Sequence, residues 1–173
     1  MKAHVTRPKS LLGSTLIGAL HWEGHSTNNA VEEADVVFDA DHGVVYRRDR
    51  ALARFVFGEL LGPGDVTGTG VGDWLAAYVG GGFTTYSAGG ACITDARDIA
   101  LAMIAAAERG LSGEFTAVGP FVTFEELAEM LAGDTPSRTS VALPELGLTF
   151  RPVEETIRDS YAYLRSAGRS MVA

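Results

Sequence analysis

Hydrophobic residues along this chain follow two spacings, one typical of buried strands and the other of amphipathic helices. An apolar run at 3–6 predicts a strand. The leucines that follow recur at every fourth position, which predicts a helix over about 11–23. A second apolar run at 34–38 is rich in β-branched residues and predicts another buried strand. The polar interval 26–33 predicts a loop, so the chain is expected to begin as strand, helix, loop and strand.

The alternation of helices and strands continues to the C-terminus. Apolar residues at helical spacing predict a helix over 46–61 that ends at the Gly-Pro-Gly-Asp breaker 62–65, and no strand is predicted directly before that breaker. Thr123 and Glu126 form a capping-box pattern that predicts the start of another helix. The remaining predictions are helices over about 73–79, 97–109 and 152–168, and strands over 83–86, 91–94, 114–118 and 148–150. Strands that alternate with helices place the chain in the α/β class.

Composition limits the partners and the compartment. At 173 residues the chain is predicted to be a single domain, 1–173. The net charge of −8 disfavours nucleic acid and anionic membranes as partners, because both are bound by clustered Lys and Arg. The single cysteine, Cys92, allows no internal disulfide, and no segment has the pattern of a membrane span or a secretory signal. We therefore expect a cytoplasmic protein.

The turn between the first strand and the first helix is a candidate nucleotide site. In a dinucleotide-binding βαβ unit this turn is rich in glycine, so that backbone N–H groups at the helix N-terminus approach a pyrophosphate. Here Arg7 has a side chain where bare backbone is required, and Pro8 has no N–H. We therefore expect that no nicotinamide cofactor binds. If one does, the candidate contacts are Arg7, Lys9, Ser10 and Gly13, and the alternative is a basic surface turn.

Six segments occur here in the order in which they occur in the extended short-chain dehydrogenase/reductase family, of the NAD-dependent epimerase/dehydratase type. They are the opening segment 2–25, Ala-Asp-Val-Val-Phe-Asp-Ala at 34–40, Tyr46 to Arg50, the breaker 62–65, Ile-Thr-Asp-Ala-Arg-Asp-Ile-Ala at 93–100 and the closing segment 148–164. The chain resembles this family over most of its length. The resemblance implies a reduced Rossmann-like parallel sheet flanked by helices, with a nucleotide-binding-like half (1–61) and a small substrate-binding-like half (62–173).

The departures from the family lie in the first half. The Gly-rich turn keeps one glycine of three, and no acidic residue is placed to hold a cofactor ribose. The resemblance puts Tyr46 at the catalytic tyrosine of a Tyr-x-x-x-Lys helix, with Arg50 one turn later where the family has lysine. Arginine differs from lysine in shape and in the ease with which its pKa is shifted. The chain is therefore similar to a shortened, degenerate member of the family.

Asp39, Asp41 and His42 follow the strand 34–38 and are the main catalytic candidates. Ligands of open parallel sheets bind outside the carboxyl ends of the strands, where two carboxylates and an imidazole can divide acid and base roles. The alternative is a solvated turn, for which this polar sequence is also suitable. Tyr46 is the fourth catalytic candidate, and its alternative is an exposed tyrosine at a helix start.

A second set of residues is predicted to bind substrate: Arg50, Asp73, Trp74, Tyr78 and Tyr86. Core packing is the alternative for the aromatic members of this set. His21 and His25 are four positions apart, but Gly24 intervenes and no third ligand is evident, so no metal site is predicted.

The resemblance and its departures predict an enzyme of bacterial secondary metabolism that acts on a small molecule. The predicted reaction is acid/base cyclisation, isomerisation or dehydration without a cofactor. Two alternatives stay open: an NAD(P)-dependent reductase or epimerase with an atypical cofactor site, and a non-catalytic binding or scaffold protein. A shortened sheet leaves an edge and a bare face, so a homodimer is expected.

Overall fold

The structure, a computed structural model, describes residues 1–47, 50–65, 70–81, 88–133 and 140–170. The helices within these ranges are α1 (Leu11–Trp22), α2 (Val71–Val79), α3 (Ala96–Arg109), α4 (Phe124–Ala132) and α5 (Val153–Ser170). The strands are β1 (Lys2–Val5), β2 (Ser26–Thr27), β3 (Val36–Asp39), β4 (Val44–Arg47), β5 (Arg50–Phe57), β6 (Glu59–Leu61), β7 (Gly90–Asp95), β8 (Gly113–Ala117), β9 (Phe121–Thr123), β10 (Ala142–Leu143) and β11 (Leu148–Thr149).

The largest sheet has six strands in the order β2-β1-β3-β4-β5-β8. Every pairing in it is parallel except the two made by β4, which runs against β3 and β5. This arrangement confirms the predicted α/β class with a mostly parallel, Rossmann-like sheet. The order reverses between β1 and β3, because β1 leads through α1 to β2 on one side while β3 lies on the other.

Helices α1 and α3 pack side by side on one face of this sheet. The leucine stripe of α1 and the apolar face of α3 bury Phe38 of β3 and Phe55 of β5 in one continuous core. The opposite face carries exposed side chains such as Arg54, Val56 and Glu114, and no helix of the described part of the chain packs on it. Within the described residues, helices thus cover this sheet on one side only.

A second core lies around a smaller sheet in the order β6-β7-β9. Helices α2, α4 and α5 surround it, and Leu75, Leu127 and Ile157 are buried at its centre. The predicted capping box is formed at the start of α4, where the Thr123 hydroxyl accepts from the Glu126 N–H and the Glu126 carboxylate accepts from the Thr123 N–H. The α3 helix belongs to the larger core, although it lies in the second half of the chain.

The helix predicted over 46–61 is wrong, because this segment forms β4, β5 and β6. Its apolar residues are dense enough to satisfy both the helical and the strand spacing. The burial has period two, with Ala53 and Phe55 buried and Arg54 and Val56 exposed. Pairing of β4 with β3 and of β5 with β8 decides between the two spacings. The absence of a strand before the breaker 62–65 was also predicted wrongly, since β6 ends at Leu61.

The loop predicted over 26–33 needs correction, and the strand predicted over 83–86 cannot be compared with the structure. The polar interval 26–33 contains β2, which pairs in parallel with β1, and a short 3-10 turn over Val31–Glu33. Local polarity hid this strand, because its two polar residues carry no apolar pattern and pair with β1 through the backbone. The strand predicted over 83–86 lies outside the described residues. Among the described helices, none is long and apolar enough to cross a membrane.

Candidate functional site

The turn between β1 and α1 is closed by its own polar groups. Arg7 adopts a φ of 48°, a conformation that favours glycine. Ser10 caps α1: its hydroxyl donates to the Arg7 carbonyl (2.9 Å) and accepts from the Gly13 N–H (3.1 Å). One of the N–H groups that would face a phosphate in a dinucleotide-binding turn is therefore already bound to a side chain. Lys9 is exposed beside it.

Gly13 is required by packing. A Cβ on Gly13 would lie 2.1 Å from the carbonyl oxygen of Arg7, which is far inside van der Waals contact. In the dinucleotide fingerprint the third glycine has this same role, close packing of helix against strand. The retention of Gly13 follows from the tight entry into α1 and does not in itself imply a bound phosphate.

An ion pair spans the crevice between the carboxyl ends of β1 and β3. Nε of Arg7, after β1, lies 2.8 Å from Oδ2 of Asp41, after β3. This crevice is the point where the strand order reverses, at which open α/β sheets bind their ligands. The Arg7 side chain is 70% exposed and that of Asp41 40%, so the pair lies at the surface. Arg7 thus reaches across the place where a pyrophosphate would lie and contacts a carboxylate there.

Asp39 and His42 form a second pair at the same edge. Nδ1 of His42 lies 2.9 Å from Oδ2 of Asp39. Oδ1 of Asp39 accepts from the Thr6 hydroxyl (3.3 Å) and from the N–H groups of Asp41 (3.0 Å) and His42 (3.3 Å). The Asp39 side chain is 19% exposed and the His42 ring 74% exposed. The sequence prediction that Asp39, Asp41 and His42 meet at this edge is therefore reproduced, with Arg7 and Thr6 as added neighbours.

The hydrogen bonds fix the charge of Asp39. Burial alone would raise its pKa, but the hydrogen bonds from the His42 ring and from the N–H groups of Asp41 and His42 outweigh burial, and the pKa of Asp39 is lowered. Asp39 is consequently a carboxylate that accepts hydrogen bonds and orients His42, and it is a poor proton donor. No group of three His, Cys, Asp or Glu side chains in the described ranges is placed to hold a metal ion.

Tyr46 and Arg50 do not lie one turn apart on a helix. Tyr46 is on β4, opposite Val37 of β3, and Arg50 begins β5. Directly opposite side chains in a sheet share a face, so Tyr46 lies on the same face as Val37 and Asp39. Tyr46 is level with Val37, which precedes Asp39 by two residues on β3. Arg50 lies at the opposite end of the sheet beside Arg47 and Val36, away from the acidic turn. The hairpin that replaces the predicted helix puts Arg50 next to Ala51, the cross-strand partner of Tyr46, with the two side chains on opposite faces of the sheet.

The aromatic residues predicted to line a substrate cleft are part of the second core. Trp74 is 5% exposed and stacks between Tyr78 and Phe124, with ring centroids 5.2 and 5.7 Å away. Trp74 is thus packed in the second core and Tyr78 is partly buried against it, while substrate binding by these residues stays a prediction. Asp73 is exposed in the first turn of α2. Tyr86 lies outside the described residues.

A cavity beside β1 and β2 contains a polar group that sequence reasoning missed. The cavity has a volume of about 460 Å³ and is lined by His4, Val5, Thr6, Arg7, Pro8, Ile17, Thr27, Asn28 and Asn29. The side-chain Oδ1 and Nδ2 of Asn28 are both buried without a hydrogen-bond partner within the described part of the chain. A buried amide normally has hydrogen-bond partners, so the Asn28 side chain is an exception among the described contacts. Asn28 stood in a predicted polar loop, and no local pattern distinguishes it there.

Solved structures with a similar fold include two epimerases and a reductase. A nucleoside-diphosphate-sugar epimerase from Pseudomonas aeruginosa superposes with a TM-score of 0.67 and 14% identity, covering 97% of this chain and 98% of that one. The yeast methylglyoxal/isovaleraldehyde reductase, solved with NADPH, gives a TM-score of 0.68 at 10% identity, covering 98% and 100%. A UDP-N-acetylglucosamine 4-epimerase from Bacillus cereus gives 0.68 at 11% identity, covering 95% and 99%.

Sequence comparisons add no closer relation: no protein-family model and no curated protein matches the chain. At such low identities the structural likeness concerns the fold alone. It covers nearly the whole chain, including both the six-stranded sheet and the smaller second unit. The chain therefore has the fold of these epimerases and this reductase, and the predicted resemblance to the extended short-chain dehydrogenase/reductase family is confirmed at the level of the fold.

Proposed function

We propose that the protein is an acid–base enzyme that works without NAD(P), with His42 as the proton-transferring residue and Asp39 as the group that orients it. The observation that carries the proposal is the 2.9 Å contact between His42 Nδ1 and Asp39 Oδ2 at the strand-order reversal. A carboxylate bound to Nδ1 fixes the tautomer in which Nε2 carries the lone pair. Nε2 is then the nitrogen that takes a proton from a ligand and returns it.

The low pKa of Asp39 supports this division of roles. An ionised Asp39 stabilises the imidazolium that forms when His42 accepts a proton, and it need not become protonated itself. Proton removal and return by one imidazole are sufficient for isomerisation, dehydration or cyclisation of a hydroxycarbonyl compound. Tyr46, on the same face of the sheet, is the residue we propose as the second proton-transfer group.

The turn after β1 supports a reaction without a dinucleotide. Arg7 replaces the first glycine, Pro8 has no N–H, and the Ser10 hydroxyl occupies the Gly13 N–H. Arg7 is bound to Asp41 across the crevice. A pyrophosphate would have to displace this carboxylate and would find fewer backbone donors than a glycine-rich turn offers.

The cavity beside Arg7 supports a small, oxygen-rich substrate. The Asn28 amide has an acceptor oxygen and an NH2 donor group, both without a partner among the described residues, which suit hydroxyl or carbonyl groups of a ligand. Arg7 lines this cavity and also contacts Asp41, so one side chain touches both the cavity and the acidic turn. An anionic or hydroxylated ligand fits these partners better than an apolar one.

A second candidate function is ligand binding without turnover. The same Asn28 amide favours it, since a recognition group is present whether or not His42 transfers protons. The two functions differ in what His42→Gln does: it abolishes catalysis in the first and leaves ligand affinity unchanged in the second.

The first experiment measures the melting temperature with millimolar NADH or NADPH. A ligand that binds only the folded state raises the melting temperature by mass action. We expect no change. A clear rise with either cofactor would overturn the cofactor-free proposal and favour an NAD(P)-dependent reductase or epimerase.

The second experiment measures proton exchange directly. A panel of hydroxyketones and sugar nucleotides is incubated with the protein in D2O, and loss of C–H signals is followed by proton NMR. We expect exchange with the wild type, none with His42→Gln, and wild-type exchange with the matched control His21→Gln, an exposed histidine bound to a hydroxyl rather than a carboxylate. Equal exchange in the His42 and His21 variants would remove His42 from the mechanism.

A further inference from the structure

The outer surface of α1 carries an exposed tryptophan beside an open groove. Trp22 is 89% exposed, whereas the chain's other tryptophan, Trp74, is 5% exposed. A groove of about 580 Å³ runs along the same helix from Ser14 to Trp22. Its other wall is formed by Pro63, Leu101 and the guanidinium-bearing side chains of Arg97 and Arg151. This surface is separate from the acidic turn and from the cavity beside Asn28.

The two ends of the groove differ in chemistry. The C-terminal ends of α1 and α3 meet where His25 contacts Glu108 (2.9 Å), so the two helices run in the same direction. Arg97, in the first turn of α3, therefore lies near Ser14, and Trp22 lies at the far end of the groove. An indole is at one end, and two guanidinium groups are at the other.

The arginine end presents positive groups to the groove. The Arg97 and Arg151 side chains are 28% and 29% exposed, while their partners Asp95 and Asp98 are 1% and 6% exposed beneath them. Asp159 holds Arg97 from a second side at 2.7 Å. A guanidinium fixed in this way is a flat, positive surface on which an aromatic ring stacks.

From these observations we infer that the α1 groove is the interface of a homodimer, in which Trp22 of each copy enters the groove of the other. Ser14, Gly18 and Trp22 are spaced four residues apart, so Gly18 lies midway, about 6 Å from each along the axis. A two-fold axis at Gly18 places the partner's Trp22 level with Ser14 and against Arg97. The contact is self-complementary, as a closed dimer requires.

Electrostatics and space at the crossing point favour the same pairing. The negative face of the indole meets the guanidinium groups, each of which is held in place by two carboxylates. A Cβ on Gly18 would meet no atom within 4 Å, so the crossing point is open to a second helix.

The size of the contact predicts a weak dimer. A buried indole covers about 150–250 Å², so two indoles and the groove walls they cover bury about 600–1,000 Å² in all. This is below the roughly 1,200 Å² of stable interfaces. We therefore expect a monomer–dimer equilibrium in the micromolar range.

Sedimentation velocity from low to high micromolar concentration tests the proposal. We expect a concentration-dependent shift from monomer to dimer that weakens at least about tenfold in Trp22→Ser. Gly18→Glu should abolish it as well, because it blocks the crossing point while leaving the monomer without a clash. Circular dichroism melting checks that both variants are folded.

The control variant is Val56→Ser, which alters the exposed face of the six-stranded sheet, where 37% of Val56 is accessible. It should leave the dimer unchanged. A wild type that stays monomeric throughout would overturn the proposal, as would a dimer that survives in Trp22→Ser. A dimer lost only in Val56→Ser would move the interface to the bare sheet face.

Discussion

Two acidic turns, one at the carboxyl end of β3 and one at the carboxyl end of β7, differ in how deeply their carboxylates are buried. After β3, Asp41 pairs with an exposed Arg7 and Asp39 with an exposed His42. After β7, Asp95 and Asp98 are buried beneath Arg97 and Arg151. The first turn leaves its partner side chains at the surface. The second turn connects the start of α3 to α5, because Asp95 also accepts from the Thr156 hydroxyl. It also holds the segment before α5, because Asp98 pairs with Arg151.

The difference shows in the charge preferred at each site. Hydrogen bonds lower the pKa of Asp39 against the effect of burial, whereas burial raises the pKa of Asp98 against the pull of Arg151. A carboxylate near solvent can keep its charge and act on a ligand, while a buried one mainly fixes the packing of its neighbours. The segment with the greater family resemblance, 93–100, is the structural one. The segment that departs from the family contains the candidate chemistry.

The largest effect is expected at the buried turn. Asp98→Ala should lower the free energy of unfolding by about 3 kcal/mol, because Arg151 loses both its side-chain and its backbone acceptor in a partly buried place. Urea unfolding measures this. Asp159→Ala is the control, since that carboxylate is 40% exposed and should contribute less than about 1 kcal/mol. An equal loss of unfolding free energy in the two variants would show that burial does not determine how much each ion pair stabilises the fold.

Two glycines of α1 provide the next test. Gly13→Ala should cost about 1–3 kcal/mol, because the added Cβ collides with the Arg7 carbonyl. Gly18→Ala should stabilise the chain by about 0.5–1 kcal/mol, because the position is open and alanine favours a helix. Thermal or urea unfolding gives both values. If Gly13→Ala is tolerated, then packing does not explain why this glycine alone remains in the turn.

Much of the fold could be predicted from the sequence, because local signals and tertiary packing agree. The leucine stripe predicts α1 correctly. Gly110 ends α3 in the left-handed conformation, which glycine adopts more easily than other residues. The segment 46–61 fails because apolar residues at 52, 53, 55, 56 and 57 satisfy two spacings, and only distant strands decide between them. The proximity of Asp39 and His42 could be predicted, because the two residues are only three positions apart in one turn. The Asn28 amide could not, since its isolation depends on groups that pack around it.

The pH dependence of stability should have opposite signs at the two turns. A lowered pKa means that ionised Asp39 stabilises the folded chain above the ordinary aspartate pKa of about 4, and that this contribution is lost as the pH falls. A raised pKa means that protonated Asp98 is favoured in the folded chain, so its contribution is lost as the pH rises above about 4.

Urea unfolding between acidic and neutral pH measures these signs with isosteric variants. The stability advantage of the wild type over Asp39→Asn should grow as the pH rises, and its advantage over Asp98→Asn should shrink. Asp35→Asn, which changes an exposed carboxylate that accepts from the Lys2 N–H, serves as the control for general charge effects. The same sign at both turns would contradict the distinction between them.

The smallest effect is expected at the ion pair across the β1–β3 crevice. Both side chains are largely exposed, so Asp41→Ala should change the free energy of unfolding by less than about 1 kcal/mol, and added salt should reduce the change further. Arg7→Gly removes the same pair but relieves the positive φ of Arg7, which costs a non-glycine residue about 1 kcal/mol or more. Arg7→Gly should therefore be at least as stable as Asp41→Ala. A loss at Asp41 comparable to that of Asp98→Ala would mean that this crevice is held by its charges, and that Arg7 belongs to the structural framework rather than to a ligand site.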